Sequence, residues 1–233
     1  MKIYLAQINT MVGNLEYNSS LVLKCLDKAS KAGADLVVFP EMTLTGYPLR
    51  DLVMQKDLVT DNISALEKVA SRTKDIGAVI GYVDFNPSPE GKGLFNAAAL
   101  CANGKIISRH YKTLLPTYDV FDETRYFEPA PSVDTVEFKG ETIGISICED
   151  IWNPLTGEEF RRLYKTDPVK ALAERKPDIM INISASPFTL DKREERKRLA
   201  IRAAKQTSAP CIHVNLAGGN DSLIFDGWSA AVS

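Results

Sequence analysis

Cys148 stands where an apolar strand pattern over residues 142–147 meets the polar turn Glu149-Asp150-Ile151-Trp152. A thiol delivered to a strand end can act as a nucleophile, and the backbone N–H that follows it is free to serve as half of an oxyanion hole. Cys25, Cys101 and Cys211 lie in an apolar helix face or in strand interiors and read as small core hydrophobes. The carboxylates beside Cys148 oppose thiolate formation, so chemistry there needs both a base and a compensating cation. Glu41 ends the apolar run 36–40 and would emerge at a sheet edge, where desolvation raises a carboxyl group toward usefulness as a base. Lys112 closes the strand pattern 105–111 and offers the cation. With His110 and His213 the only histidines, a Ser-His-Asp triad or a histidine-rich metal cage has few candidates. Glu41, Lys112 and Cys148 are far apart in sequence, so only a fold can gather them.

The elements that would do so begin with strands over 2–9 and 36–39. Between them Leu15, Val22, Cys25, Leu26 and Ala29 recur at helical spacing, an amphipathic helix over 15–32 ended by Gly33. A second helix is expected over 61–74, capped by Asp61 and stopped by Gly77. Runs over 78–85, 94–102, 105–111, 133–138 and 142–148 read as strands, and the turn signals Asn103-Gly104 and Lys139-Gly140 make this stretch mostly antiparallel. A helix over 156–175, a strand over 178–184, a charged helix over 192–205, a strand over 211–216 and a final strand over 223–232 complete the pattern. Residues 113–132, rich in aromatics and prolines, form a segment too long for a mere connector and read as an ordered functional loop. The glycine-rich stretch 218–222 precedes a strand pattern rather than a helix, so it reads as a hairpin turn and not a phosphate loop. The run 191–198 mixes both signs of charge and reads as the start of a solvated helix. No repeat or linker divides the chain, and one α/β domain over residues 1–233, with helices covering mixed sheets, is expected.

Twenty-eight basic against 30 acidic residues give a net charge of −2, which leaves no electrostatic footprint for nucleic acid or an anionic membrane. A hydrophobic share of 45% and a charged share of 25% set the chain among folded globular proteins. No apolar run approaches the ~20 residues that span a bilayer, and Met1-Lys2-Ile3-Tyr4 enters a strand pattern without a signal peptide. Four scattered cysteines without a C-x-x-C pair argue against a disulfide framework or a zinc site. The expectation is a cytoplasmic protein with no nucleic-acid, membrane or metal partner.

The contexts FPEMTLTGYP, HYKTLLPTYDVFDETRYFEP and ISICEDIWNP resemble the three signature segments of the nitrilase, or carbon–nitrogen hydrolase, superfamily, whose triad is Glu-Lys-Cys. The stretch Gly46, Tyr47, Pro48, Asp51 and Leu52, the string at 121–127 and the CEDIW string are similar to the branch made by glutaminase domains of glutamine-dependent NAD synthetases. The likeness runs from residue 2 to about residue 228. It implies a nitrilase-like α-β-β-α sandwich, two mixed sheets covered by helices, with the triad converging at one end. In that scheme Glu41 is the general base, Cys148 attacks the side-chain amide of L-glutamine to release ammonia and leave a thioester, and Lys112 holds the oxyanion with the Glu149 N–H. Glu123 is implied as a second glutamate that positions the lysine and the amide. Tyr47, Tyr118, Glu149 and Ser186 are implied contacts of the amino-acid end of glutamine, with Lys192 or Arg193 as a basic contact. Hydrolysis so implied needs no metal and no cofactor. ATP and magnesium belong to a synthetase domain, the partner of such glutaminase domains, which is absent from this sequence. The chain is therefore expected to be truncated inside its last strand, at residues 230–233, relative to a homo-oligomeric parent enzyme. The alternatives are a stand-alone superfamily amidase acting on another small amide or carbamoyl compound, and a catalytically silent binding fragment.

Overall fold

The computed structural model describes residues 1–153 and 164–233. The chain opens with β1 (Ile3–Leu5), α1 (Leu15–Lys31), β2 (Leu36–Val38) and α2 (Lys56–Ala70), then runs through β3 (Gly77–Phe85), β4 (Leu94–Ala102) and β5 (Lys105–Tyr111). The second half supplies β6 (Thr135–Phe138), β7 (Glu141–Ile147), α3 (Pro168–Glu174), β8 (Ile179–Ser184), α4 (Lys192–Thr207) and β9 (Cys211–Asn215). It ends in β10 (Ala217–Asn220), β11 (Leu223–Asp226) and β12 (Ala230–Val232).

Among the described residues the strands form two five-stranded sheets, in the orders β1-β2-β3-β4-β5 and β12-β9-β8-β7-β6, with β10-β11 as a separate hairpin. The sheets share a plan. In the first, β1, β2 and β3 are parallel and β4 and β5 add antiparallel strands; in the second, β7, β8 and β9 are parallel and β6 and β12 add antiparallel edges. Side-chain alternation along each strand builds the layers. Leu36, Val38, Val79, Ala98 and Leu100 face Ile143, Ile145, Ile147, Ile181 and Val214 between the sheets. The opposite faces of β2, β3 and β4 pack through Val37, Phe39, Ile80 and Ala99 on Val22 and Leu26 of α1 and Leu66 and Val69 of α2. On the far side, Met180 and Cys211 meet Leu172 of α3 and Ala200 and Ala203 of α4. The result is the expected α-β-β-α sandwich, produced because the core strands are buried on both faces and must be covered twice.

Three local expectations are revised. The second helix spans Lys56–Ala70 rather than 61–74. Its start has no side-chain cap, and Val59 is buried against Val53 and Leu49, so burial of one extra turn overrides the capping signal at Asp61. The first strand is confined to Ile3–Leu5. The final strand is broken in two, because Gly227 and Trp228 both take left-handed backbone (φ 68° and 60°). A Cβ at Gly227 would lie 2.3 Å from Gln7 Cδ, so this turn packs against the start of the chain, and its left-handed backbone favours glycine there. The stretch 218–222 forms a hairpin as expected, with Gly218 and Gly219 inside β10 and the turn at Asp221-Ser222. Residues 156–163 of the helix expected over 156–175 lie outside the described residues; of the rest, residues 164–167 are not helical and α3 begins only at Pro168, capped by the Asp167 side chain.

Candidate active site

The parallel plan fixes where the polar strand ends arrive. Glu41 follows β2, Lys112 directly follows β5, Cys148 directly follows β7 and Ala185 directly follows β8. β2 and β5 run the same way, since two antiparallel steps separate β3 from β5, and β7 and β8 are parallel. Their carboxyl ends therefore meet at one edge of the sandwich. Gly81 of β3 makes room for the Glu41 turn: a Cβ there would sit 2.4 Å from both Pro40 O and Met42 N.

At that edge Lys112 Nζ lies 2.8 Å from Glu41 Oε1 and 2.7 Å from Glu123 Oε1. The side chains of Lys112 and Glu41 are wholly buried and that of Glu123 is 6% exposed, so no bulk water shields the trio. Asn96 Nδ2 donates to Glu41 Oε1 at 2.7 Å and to Glu123 Oε2 at 3.3 Å, and the Ala185 N–H donates to Glu41 Oε2 at 2.8 Å. The Tyr47 hydroxyl donates to Glu123 Oε1 at 3.0 Å. Burial alone would push Lys112 down, but Glu123 and Glu41 outweigh it and hold the ammonium charged, well above the usual lysine range. Burial raises Glu123, against the pull of Lys112.

Cys148 begins a one-turn 3-10 helix, Cys148–Ile151, with φ at 44°. Left-handed backbone is strained for a residue with a Cβ, and such strain is held only where surroundings over-determine it. The thiol is buried and close enough to Glu41, Lys112, Glu123 and Glu149 for all four charges to act on it. Burial first, then the charge of Glu41, push it well above the ordinary cysteine value, with Lys112 opposing. At neutral pH the sulfur thus keeps its proton until a base removes it.

Glu149 points its carboxylate at Tyr118, whose hydroxyl is 2.9 Å from both oxygens, and accepts from the Tyr164 hydroxyl at 3.0 Å. Burial lifts this carboxyl to about 7, against Lys112 and the two tyrosine hydrogen bonds. Ser186 is buried next to Ala185; its N–H donates to Asn215 Oδ1 at 2.8 Å and its carbonyl accepts from Arg196 at 3.1 Å. Lys192 is not joined to the cluster by a hydrogen bond: its ammonium stacks 4.5 Å over the Trp152 ring, and Arg193 stacks on Trp228. The structure thus joins Glu41, Lys112, Glu123 and Tyr47 by direct bonds, sets Cys148 beside them with Glu149 and Tyr118, brings Ser186 in through Ala185, and leaves Lys192 apart.

Asn96, Ala185 and Tyr164 also belong to the site, and the sequence reading passed over them. Asn96 had a visible signal, a lone amide in the apolar strand Leu94–Ala102. The expected solvated helix also holds an exception, since Arg196 is fully buried and its Nη2 donates to both Asp226 carboxylate oxygens, at 2.6 and 2.5 Å. A cavity of about 280 Å³ reaches the cluster from the Tyr47 and Glu123 side, between Met42, Phe121 and Phe127. A smaller one of about 90 Å³ lies behind the Cys148 turn, near Asp150, Ser146 and His110. Among the described residues no group of three or more His, Cys, Asp or Glu is arranged to hold a metal ion, and no helix is long and apolar enough to cross a membrane.

The carbon-nitrogen hydrolase family model matches residues 2–233. Among curated proteins the chain is 38% identical, over 99% of its length, to the glutamine-dependent NAD(+) synthetase of Synechocystis sp., and 35% identical, over 100% of its length, to that of Thermotoga maritima. It spans only 42% of the first and 38% of the second. Among solved structures, the glutamine-dependent NAD+ synthetase of Acinetobacter baumannii matches at a TM-score of 0.87 and 33% identity, covering 99% of this chain and 41% of that one. An amidase from the nitrilase superfamily of Nesterenkonia AN1 shares the fold at a TM-score of 0.83 and 22% identity, covering 100% of this chain and 82% of its own.

Proposed function

The chain belongs to the carbon–nitrogen hydrolase family, and we propose that it is a glutamine amidohydrolase that releases ammonia from L-glutamine through a thioester on Cys148. Because the thiol rests protonated, its deprotonation accompanies attack: Glu41 takes the proton as sulfur bonds to the side-chain amide carbon. The oxygen becomes an oxyanion, held by Lys112 and the Glu149 N–H; one such donor is worth about 2.7–4 kcal/mol. The protonated Glu41 returns its proton to the amide nitrogen, the C–N bond breaks and ammonia leaves. Glu41 then deprotonates a water that attacks the thioester carbon, and sulfur departs with that proton as glutamate is freed.

Glu123 holds the ammonium of Lys112 together with Glu41, and Tyr47 anchors Glu123. Glu149, backed by Tyr118, receives the α-ammonium of the substrate, which takes over hydrogen-bonding capacity now used by two tyrosines. Ser186 and Lys192 serve the α-carboxylate. On this reading residues 1–233 are a cytoplasmic glutaminase unit of a homo-oligomeric enzyme, and its ammonia passes to a synthetase domain that uses ATP and magnesium. Hydrolysis itself needs neither.

The observation that supports this most directly is the buried set of Lys112 between Glu41 and Glu123, with a thiol under the influence of all three. The test compares ammonia release from L-glutamine with release from simple ω-amides, alongside labelling by a glutamine-analogue electrophile. Equal rates on both substrates would point to a general amidase, and a folded sample left unlabelled at Cys148 to a silent module.

A further inference from the structure

We infer that Asp150 is a positioning residue that sets the separation between the Cys148 sulfur and the Lys112 ammonium, an inference that rests on the proposed roles of those two groups. The two arrive on different sheets, Lys112 at the end of β5 and Cys148 at the end of β7. The hydrophobic effect that packs the two sheets together is non-directional. Asp150 supplies directional bonds across that gap. Its Oδ2 accepts the N–H of Ile147, the residue before the nucleophile, at 2.9 Å. Its Oδ1 accepts the N–H groups of Thr113 and Leu114, the two residues after the lysine, at 3.0 and 2.9 Å. One buried carboxylate thus joins both strand ends through their backbone N–H groups.

The residue type fits this use. Asp150 is 2% exposed; the charge of Lys112 acts on it, but its direct contacts among the described residues are the three backbone N–H groups whose bonds it accepts. Among the described residues the Thr113 and Leu114 N–H groups have no other partner, and losing the carboxylate would orphan the buried Leu114 donor and the half-buried Thr113 donor. An asparagine offers one acceptor oxygen and turns its NH₂ toward an N–H, so it can serve one strand end only.

The test is Asp150→Asn in the full chain, with kcat expressed per Cys148 titrated by a glutamine-analogue electrophile. A displacement of the lysine relative to the sulfur should lower kcat per titrated site by about ten- to a hundredfold, with KM for glutamine changed by less than about threefold. A role limited to stability would reduce the number of titratable sites and leave kcat per site unchanged, which would overturn the inference. So would a KM increase that accounts for the whole loss, since Asp150 would then be touching substrate. Should the variant not fold, amide hydrogen exchange on the wild-type protein decides: Thr113 and Leu114 should be protected together with β5, and exchange at open-loop rates would mean that the tie is not formed. Failure of the wild-type protein to hydrolyse glutamine would count against the proposed function, while the exchange measurement judges the tie independently.

Discussion

Replacing Lys112 with methionine keeps most of the side chain's bulk and removes the ammonium that faces Glu41 at 2.8 Å and Glu123 at 2.7 Å. Both carboxylates are then left without that cation, bridged by the Asn96 amide. Water cannot substitute, since Glu41 has no side-chain exposure and Glu123 has 6%. Removing one partner of a buried ion pair costs about 3–5 kcal/mol, which in a chain of this size lowers the melting temperature by about 6–20 °C. The cost has a definite pH sign. Burial holds the folded Glu123 carboxyl above the unfolded value of about 4.3 even against the pull of Lys112, and without the lysine it rises further, so the penalty falls on the charged form. It is absent below the unfolded value and grows as pH rises toward the folded one, by about 1.4 kcal/mol per pH unit for that carboxyl. Lys112→Met should therefore be closer to wild type in stability at pH 5 than at pH 8. Urea melts at the two pH values measure the difference. A loss under about 1 kcal/mol, or one equal at both pH values, would refute the reasoning, because the cluster would then be exchanging its partners with solvent.

Cys148→Ala should abolish turnover and leave the melting temperature near wild type, and Glu41→Gln should slow turnover by about 10²–10⁴ for want of a base; near-normal rates from either would remove that residue from the mechanism. Glu149, at about 7, takes up a proton as the medium turns acidic and loses its attraction for an α-ammonium. Below that value kcat/KM for L-glutamine should fall about tenfold per pH unit, whereas an ω-amide without an α-ammonium should lack this limb. Superimposable pH profiles for the two substrates would argue against Glu149 as the ammonium acceptor. Gly81→Ala places a Cβ 2.4 Å from Pro40 O and Met42 N, so it should shift the Glu41 turn, cost about 1–3 kcal/mol and lower kcat with it. Crystallography of that variant with Glu41 unmoved and turnover intact would show that the backbone yields without consequence.

Glu41 and Cys148 stand out in the sequence as candidates because each follows an apolar strand run, and Lys112 because it closes a mixed one; what joins the three as a triad is the resemblance of their contexts to the carbon–nitrogen hydrolase signature segments, not composition. What holds them at working distance could not be read there. The Ala185 N–H that bonds Glu41 belongs to the backbone, which no residue type reveals. Asp150 read simply as a second acid opposing the thiolate, yet its oxygens turn to three N–H groups, while Glu149 is the neighbour whose charge reaches the sulfur. Arg196, one basic residue in a mixed run, gave no sign that it alone would be fully buried and would hold the Ser186 carbonyl. The displaced start of α2 has the same origin, since the burial of Val59 depends on Leu49 and Val53 and on the sheet beneath, not on any local signal. Strand direction decides which residues arrive at the edge, and that follows from local pattern plus the right-handed crossover rule. Distances within the site depend instead on long-range bonds between side chains and backbone, such as Asp150 to Thr113 and Ala185 to Glu41, and these come into being only when two sheets have already packed.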